Sequence, residues 1–321
     1  MLFFYILVFL VSCFLFYFLS RGYLIDALIK IAKYLKWREF VVAFFILAIG
    51  TTLPNLFVGI FSAFKNCPQL SFGEILSGNV FDLTVAIALA SFFAKDGIPA
   101  QSSVVQTTSF FTLAAALLPL FLISDGKLSQ GDGLLLILFF IVYFSWLFKK
   151  EDRYKKIYDH QVEFLGIKGF FKEWLKVFLA IILLLVAAKG IVSSAIFFAK
   201  FFKLPISLIG ILIVGLSNAL PETYFAIISA KRNENWLILG DLMGSVIVPS
   251  TLVLGIVSLI SPIEVLFFSP FKIARIFLII SVILFFIFAK TERKITKKEG
   301  IILLAFYLIF ILLEIRYALV S

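Results

Sequence analysis

Ten stretches of the 321-residue chain are apolar over about the length needed to cross a bilayer, near residues 3–29, 40–64, 73–94, 103–124, 133–148, 174–199, 205–230, 236–262, 273–289 and 300–319. Crossing roughly 30 Å of hydrocarbon takes about 20 mainly apolar residues. Inside lipid every backbone polar group must be satisfied within the segment, so spans of this length are helices. Composition agrees: 62% of residues are hydrophobic and 15% charged, against about 45–50% and about 25% in soluble domains. No folded core of this size hides that much apolar surface from water, so lipid is the solvent and the chain reads as an all-α integral membrane protein.

The same inventory argues against an enzyme. The one histidine, His160, sits in a charged loop, and the two cysteines, Cys13 and Cys67, are far apart. Histidine-based zinc chemistry and Ser-His-Asp catalysis therefore lack their parts. No Gly-rich phosphate loop of the Walker type occurs, so ATP hydrolysis is not expected.

The net charge of +10 follows from membrane sidedness rather than from nucleic acid. With the N-terminus outside, most of the 29 lysines and arginines fall in inner loops, above all in the segment 149–171; cytoplasmic loops retain basic residues. The expected topology is N-out and C-out in a plasma (inner) membrane, with a basic central loop in the cytoplasm. Lys149, Lys150, Lys155 and Lys156 are the residues of that loop suited to anionic lipid.

An internal repeat adds the next constraint. At an offset of 167 residues, GTTLPNLFVGIFSAFKNCPQLSFGEILSGNVFD from Gly50 to Asp82 lies without a gap over SNALPETYFAIISAKRNENWLILGDLMGSVIVP from Ser217 to Pro249, bringing Pro54 onto Pro221. Each half then carries five spans. An odd number forces the second half to enter the bilayer with opposite polarity, so the expected fold is ten transmembrane helices in two inverted five-helix repeats. The first repeat covers 1–148, with its motif near 48–90, and the second covers 172–321, with its motif near 215–257. Inverted-repeat transporters place substrate near the midplane, beside discontinuous helices. Pro54 and Pro221 are the natural positions for breaks in helices two and seven, because proline removes a donor and frees a carbonyl one turn earlier.

GTTLPN followed by GEILSGNVFD, and SNALPE followed by GDLMGSVIVP, resemble the paired alpha-repeats of the sodium/calcium exchanger family, within the cation/calcium antiporter superfamily. The family pattern is G-T-S-x-P-E, then G-N-x-x-G-S-N-x-x-N/D. The resemblance implies a secondary active cation antiporter that carries Ca²⁺ and Na⁺ at a midplane carboxylate site by alternating access. It needs no cofactor and works as a monomer in lipid. Carried over residue by residue, the implied ligands are Thr51, Thr52 and Asn55 on helix two, Ser77 and Asp82 on helix three, Asn218 and Glu222 on helix seven, and Ser245 on helix eight. Hard cations take oxygen ligands of these kinds, and an acid inside a bilayer normally faces a partner or a wet cavity.

The chain departs from the family pattern at Asn55, where a helix-breaking Glu is usual, at Pro249, where an acid or amide is usual, and at Asn218 and Ala219, where hydroxyls are usual. Counting only Glu222 and Asp82, the core charge is about −2, which one Ca²⁺, two Na⁺ or two protons balance; on that count coupling to three Na⁺ is weakened. Glu74 and Asp241 begin helices three and eight and complicate that count: they read first as interfacial acids favoured at helix N-termini and second as vestibule acids. Two other functions stand beside the exchanger: a cation/proton exchanger of altered stoichiometry, and a transport-inactive relative serving as a binding or regulatory module.

Overall fold

The structure, a computed structural model, describes residues 1–19, 27, 30, 31, 39–149, 167–232, 235–265 and 271–320, with side chains of the second helix described from Thr52 onward. Arg21, His160 and most of the basic central segment lie outside the described residues. The chain is helical as its apolar runs require. In order come α1 (Leu2–Phe18), α2 (Glu39–Phe64), α3 (Gln69–Phe93), α4 (Ser103–Asp125), α5 (Gln130–Lys149), α6 (Ile167–Phe202), α7 (Ile206–Lys231), α8 (Ile238–Ile260, entered from Asn235), α9 (Lys272–Lys290) and α10 (Lys297–Val320). Among the described residues eight helices, α3 to α10, are long and apolar enough to cross a membrane; the apolar parts described for α1 and α2 are shorter, Leu2–Leu15 and Thr52–Phe64.

Burial sorts these helices into layers. The apolar windows of α3 and α8 are 83% and 78% buried, whereas those of α5 and α10 are each 22% buried. The outer helices therefore turn large apolar side chains such as Leu138, Ile141, Leu308 and Leu312 outward, which water would penalise and lipid accommodates. Helix α6 has 36 residues and is about 54 Å long, well beyond the hydrocarbon thickness. Along it lies α1: Tyr5 stacks on Phe197 at 4.1 Å between ring centroids, and Phe9 meets Phe198 edge-on at 5.8 Å. At the other end of α6, buried Glu173 pairs with Lys176 at 2.8 Å and with Lys30 at 3.8 Å.

Local features recur at the repeat offset well past the aligned motifs. Helix α3 contains a π-helical turn at Asp82–Ala86, and α8 contains one at Pro249–Val253. Thr84 Oγ1 donates to the Val80 carbonyl at 2.5 Å, and Thr251 Oγ1 to the Ile247 carbonyl at 2.6 Å. At the start of α5, Ser129 donates from its backbone and hydroxyl to Asp132. At the start of α10, Thr296 does the same to Glu299, giving two capping boxes.

Four two-residue strands tie the loops together crosswise. β1 (Ile98–Pro99) pairs antiparallel with β4 (Lys294–Ile295), and β2 (Lys127–Leu128) with β3 (Ile263–Glu264). The loop between α3 and α4 is thus joined to that between α9 and α10, and the loop between α4 and α5 to that between α8 and α9.

The same exchange occurs in helix packing. A Cβ on Gly133 of α5 would collide with the Ser258 hydroxyl of α8, and one on Gly300 of α10 would collide with the Ser91 hydroxyl of α3. Glycine lets such helices approach backbone to side chain. Gly300→Ala is expected to cost about 1–3 kcal/mol of overpacking, read as a lower unfolding temperature in detergent. Adding Ser91→Ala should return most of that loss, because Ser91 Oγ is the nearest obstacle and its own bond, to the Ala88 carbonyl at 2.7 Å, is internal to α3. A double variant no more stable than Gly300→Ala would show that this packing is not what fixes α10.

One architectural expectation is corrected. Pro54 and Pro221 do not break the second and seventh helices: both prolines sit inside continuous helical stretches, Glu39–Phe64 and Gly215–Lys231. Each still withholds one amide from the ladder and frees a carbonyl, but neighbouring helices hold the dihedrals helical on either side. Departures from α-geometry sit instead in the π-turns of α3 and α8 and in a third at Gly210–Val214 of α7. Such turns arise where a helix must aim backbone and side chains off the regular register, and they are frequent at functional sites.

Candidate functional site

The first turns of α7 lie almost on the backbone of α3. A Cβ at Gly73 would sit 2.6 Å from the Ser207 carbonyl oxygen, a Cβ at Gly210 would overlap the Leu70 carbonyl oxygen, and one at Gly215 would overlap Ser77 Oγ. With no side chain at these points, α3 and α7 run side by side and carry their polar residues to the same level.

Those polar residues line a cavity at the centre of the bundle. Helix α3 supplies Glu74, Ile75, Gly78, Asn79 and Asp82. Gly215, Asn218, Ala219 and Glu222 come from α7, Thr52 and Asn55 from α2, and Ser245 and Pro249 from α8. The acids are buried: Glu74 is 1% exposed, Asp82 4% and Glu222 7%. On α3 the lining follows the four-residue period of a helical face. It begins a turn inside the helix start at Gln69 and ends at the π-turn, whose first residue is Asp82.

Hydrogen bonds cross the cavity between helices. Ser245 Oγ of α8 donates to Asp82 Oδ2 of α3 at 2.6 Å, with the Leu242 carbonyl 2.9 Å away as its other acceptor. Asn79 Nδ2 donates to Ser250 Oγ at 2.7 Å. Asn218 Nδ2 of α7 donates to Asn55 Oδ1 of α2 at 3.2 Å and also to Glu74 Oε1 of α3. All four lining helices are thereby cross-linked through groups that a cation would also use as ligands.

Of the residues expected at the site, the structure brings together Glu222, Asp82, Asn55, Thr52, Asn218 and Ser245. The side chain of Thr51 lies outside the described residues. Ser77 is not among the lining residues: its hydroxyl donates back to the Glu74 carbonyl at 3.3 Å and packs against Gly215. The reason is angular, since Ser77 sits one residue, about 100° of helix, away from the stripe that carries Gly78.

Glu74 takes the second of its two expected places. It was expected first at an interfacial helix start, but α3 begins at Gln69, four residues earlier than the apolar run indicated, so Glu74 lies a turn deeper and faces the cavity. The lining therefore holds three carboxyl groups, Glu74 beside Asp82 and Glu222. Its repeat counterpart, Asp241, is also buried but is not among the lining residues. No three Asp, Glu, His or Cys side chains among the described residues converge closely enough to hold one metal ion together. Amide, hydroxyl and backbone oxygens must therefore complete the shell of any cation held here. The cysteines take no part. Both are free thiols, and in the loop before α3 burial pushes the Cys67 thiol up to about 11, which keeps it protonated and unreactive.

Comparison with known proteins bears on the same arrangement. The sequence pattern of the family described as sodium/calcium exchanger protein matches residues 4–149 and 172–316. Sodium/calcium exchanger MaX1 of Methanosarcina acetivorans is 24% identical over 334 aligned positions, covering 92% of this chain and 94% of that protein. The inner membrane protein YrbG of Escherichia coli K12 is 24% identical over 226 positions, covering 68% and 69%. Among solved structures, the sodium-calcium exchanger NCX_Mj soaked with 100 mM Na⁺ and 10 mM Sr²⁺ superposes with a TM-score of 0.67 at 24% identity, over 97% of this chain and 98% of that one. At that identity the likeness establishes a shared fold.

Proposed function

The chain belongs to the sodium/calcium exchanger family, a family of membrane cation/calcium antiporters, and from that premise we propose that it exchanges Na⁺ for Ca²⁺ at the cavity between α2, α3, α7 and α8. The observation that carries this reading is the set of buried oxygen groups there, with Asp82 and Glu222 among them. Thr52, Asn55, Asn218 and Ser245 supply hydroxyl and amide oxygens. Pro54 and Pro221 free carbonyls of the preceding turn in the two helices that carry Asn55 and Glu222. Asp82 and Glu222 give the charge of about −2 that one Ca²⁺ or two Na⁺ balance, and Glu74 adds a third acid that a further Na⁺ balances.

The architecture in this reading is ten helices in two inverted five-helix repeats, 1–148 and 172–321, joined by the basic loop 149–171. Support comes from the paired π-turns, capping boxes and threonine bonds at one offset, and from loop strands that exchange between halves. N-terminus and C-terminus lie outside, the central loop lies in the cytoplasm, and the protein works as a monomer. Alternating access follows when cations neutralise the acids and one part of the bundle moves against the other.

The test is transport. Purified protein in liposomes loaded with Na⁺ and diluted into Na⁺-free medium is expected to take up ⁴⁵Ca²⁺, with uptake lost when the Na⁺ gradient is dissipated. Uptake that instead follows an imposed proton gradient in sodium-free vesicles would contradict the sodium assignment, and absence of any flux would contradict transport.

A further inference from the structure

Glu74 is the lining acid that the paired motifs do not explain. One of its oxygens accepts from Asn218 Nδ2; the other, Oε2, is buried without a hydrogen-bond partner. A carboxylate oxygen left bare at bilayer depth is costly unless a proton or a cation meets it. With Oε1 taken by the Asn218 amide, Oε2 is the oxygen placed to meet a cation. Glu74 and Asp82 stand eight residues apart on α3, about 12 Å along the axis. The two acids are tied to different partners, Glu74 to Asn218 of α7 and Asp82 to Ser245 of α8, so they sit at two ends of the lining.

The sequence gives the oddity a direction. The family pattern carries a carboxylate in G-T-S-x-P-E and an amide in G-N-x-x-G. This chain carries the amide, Asn55, at the first position and the carboxylate, Glu74, at the second. The two side chains are connected through the single amide nitrogen of Asn218, which donates to both. The charge has moved from α2 to α3 across one hydrogen-bonded cluster.

We propose that Glu74, with Asn55 and Asn218, forms a sodium subsite at the far end of the cavity from Asp82, and that the exchange of carboxylate and amide between positions 55 and 74 preserves the site's third negative charge. The assignment rests on the antiporter reading for the identity of the ion. It means that one Na⁺ is held apart from the Asp82 end, where Glu222 and Ser245 leave the oxygens suited to Ca²⁺.

Equilibrium ²²Na⁺ and ⁴⁵Ca²⁺ binding to purified full-length protein tests this without relying on flux. Glu74→Asn is expected to lose one bound Na⁺ per chain. The double variant Asn55→Glu/Glu74→Asn, which restores the family arrangement, should regain the lost Na⁺; that recovery also shows that Glu74→Asn did not merely misfold. An unchanged Na⁺ count in Glu74→Asn overturns the proposal, and so does a loss that the double variant fails to recover. A wild-type protein that binds Na⁺ but drives no ⁴⁵Ca²⁺ flux would overturn the transport reading while leaving the subsite standing.

Discussion

Glu222→Gln is expected to bring sodium-driven ⁴⁵Ca²⁺ uptake down to the level of empty liposomes. Glu222 is 7% exposed, lines the cavity, and follows directly on Pro221 within α7. Removing one charge of a buried, compensated set costs about 3–5 kcal/mol, a loss in cation affinity on the order of 100- to 5,000-fold. The fold should survive, because glutamine keeps the shape and one acceptor oxygen. Asp82→Asn should act in the same direction, with the Ser245 hydroxyl still able to donate to the amide oxygen. A loop acid provides the comparison: Glu264 is about half exposed and pairs with Lys127 at 3.1 Å, a surface pair worth about 0–1 kcal/mol, so Glu264→Gln should transport as wild type does. Equal activity in Glu222→Gln and Glu264→Gln would remove Glu222 from the site.

The second large effect is expected from a single methyl group. In Gly215→Ala the new Cβ would overlap Ser77 Oγ and lie 2.8 Å from the Glu74 carbonyl oxygen, so α7 and α3 must separate at the level of Asn218 and Glu74. Overpacking of this kind costs about 1–3 kcal/mol, which lowers the population of the assembled site by about 5- to 150-fold. The measurements are ⁴⁵Ca²⁺ flux and ²²Na⁺ binding, both of which should fall together with unfolding temperature. Ser77→Gly restores the residue of the family pattern at that position and removes the nearest obstacle. The Gly215→Ala/Ser77→Gly double variant should therefore recover part of both activities. Full activity of Gly215→Ala alone would show that the close contact of α3 with α7 is not needed at the site.

Much of this was written in the sequence because lipid makes the code simple. The apolar runs located α4, α7, α8 and α9 to within a residue or two, and the offset that aligned Pro54 with Pro221 also carries the π-turns, since Asp82 and Pro249 are aligned residues. The same offset relates KLSQGDG before α5 to KITKKEG before α10, a match hidden by exchanges of Ser for Thr and Asp for Glu that leave the capping chemistry intact. The errors have physical causes too. The apolar run begins at Gly73 whereas α3 begins at Gln69, so Glu74 lies a turn deeper than an interfacial acid. Ser77 enters the expected ligand set by its place in the motif, but its angular position turns it toward Gly215. Pro54 and Pro221 suggest breaks, whereas both helices run continuously through them.

The most direct measurement is an anomalous difference map from crystals of the protein soaked in Sr²⁺ as a heavy stand-in for Ca²⁺. The account predicts a peak in the central cavity with carboxylate oxygens of Asp82 and Glu222 in its shell, at separations of about 2.3–2.6 Å, slightly longer for the larger ion. A cavity without a peak in crystals that bind the ion elsewhere, with Asp82 and Glu222 unliganded, would contradict it.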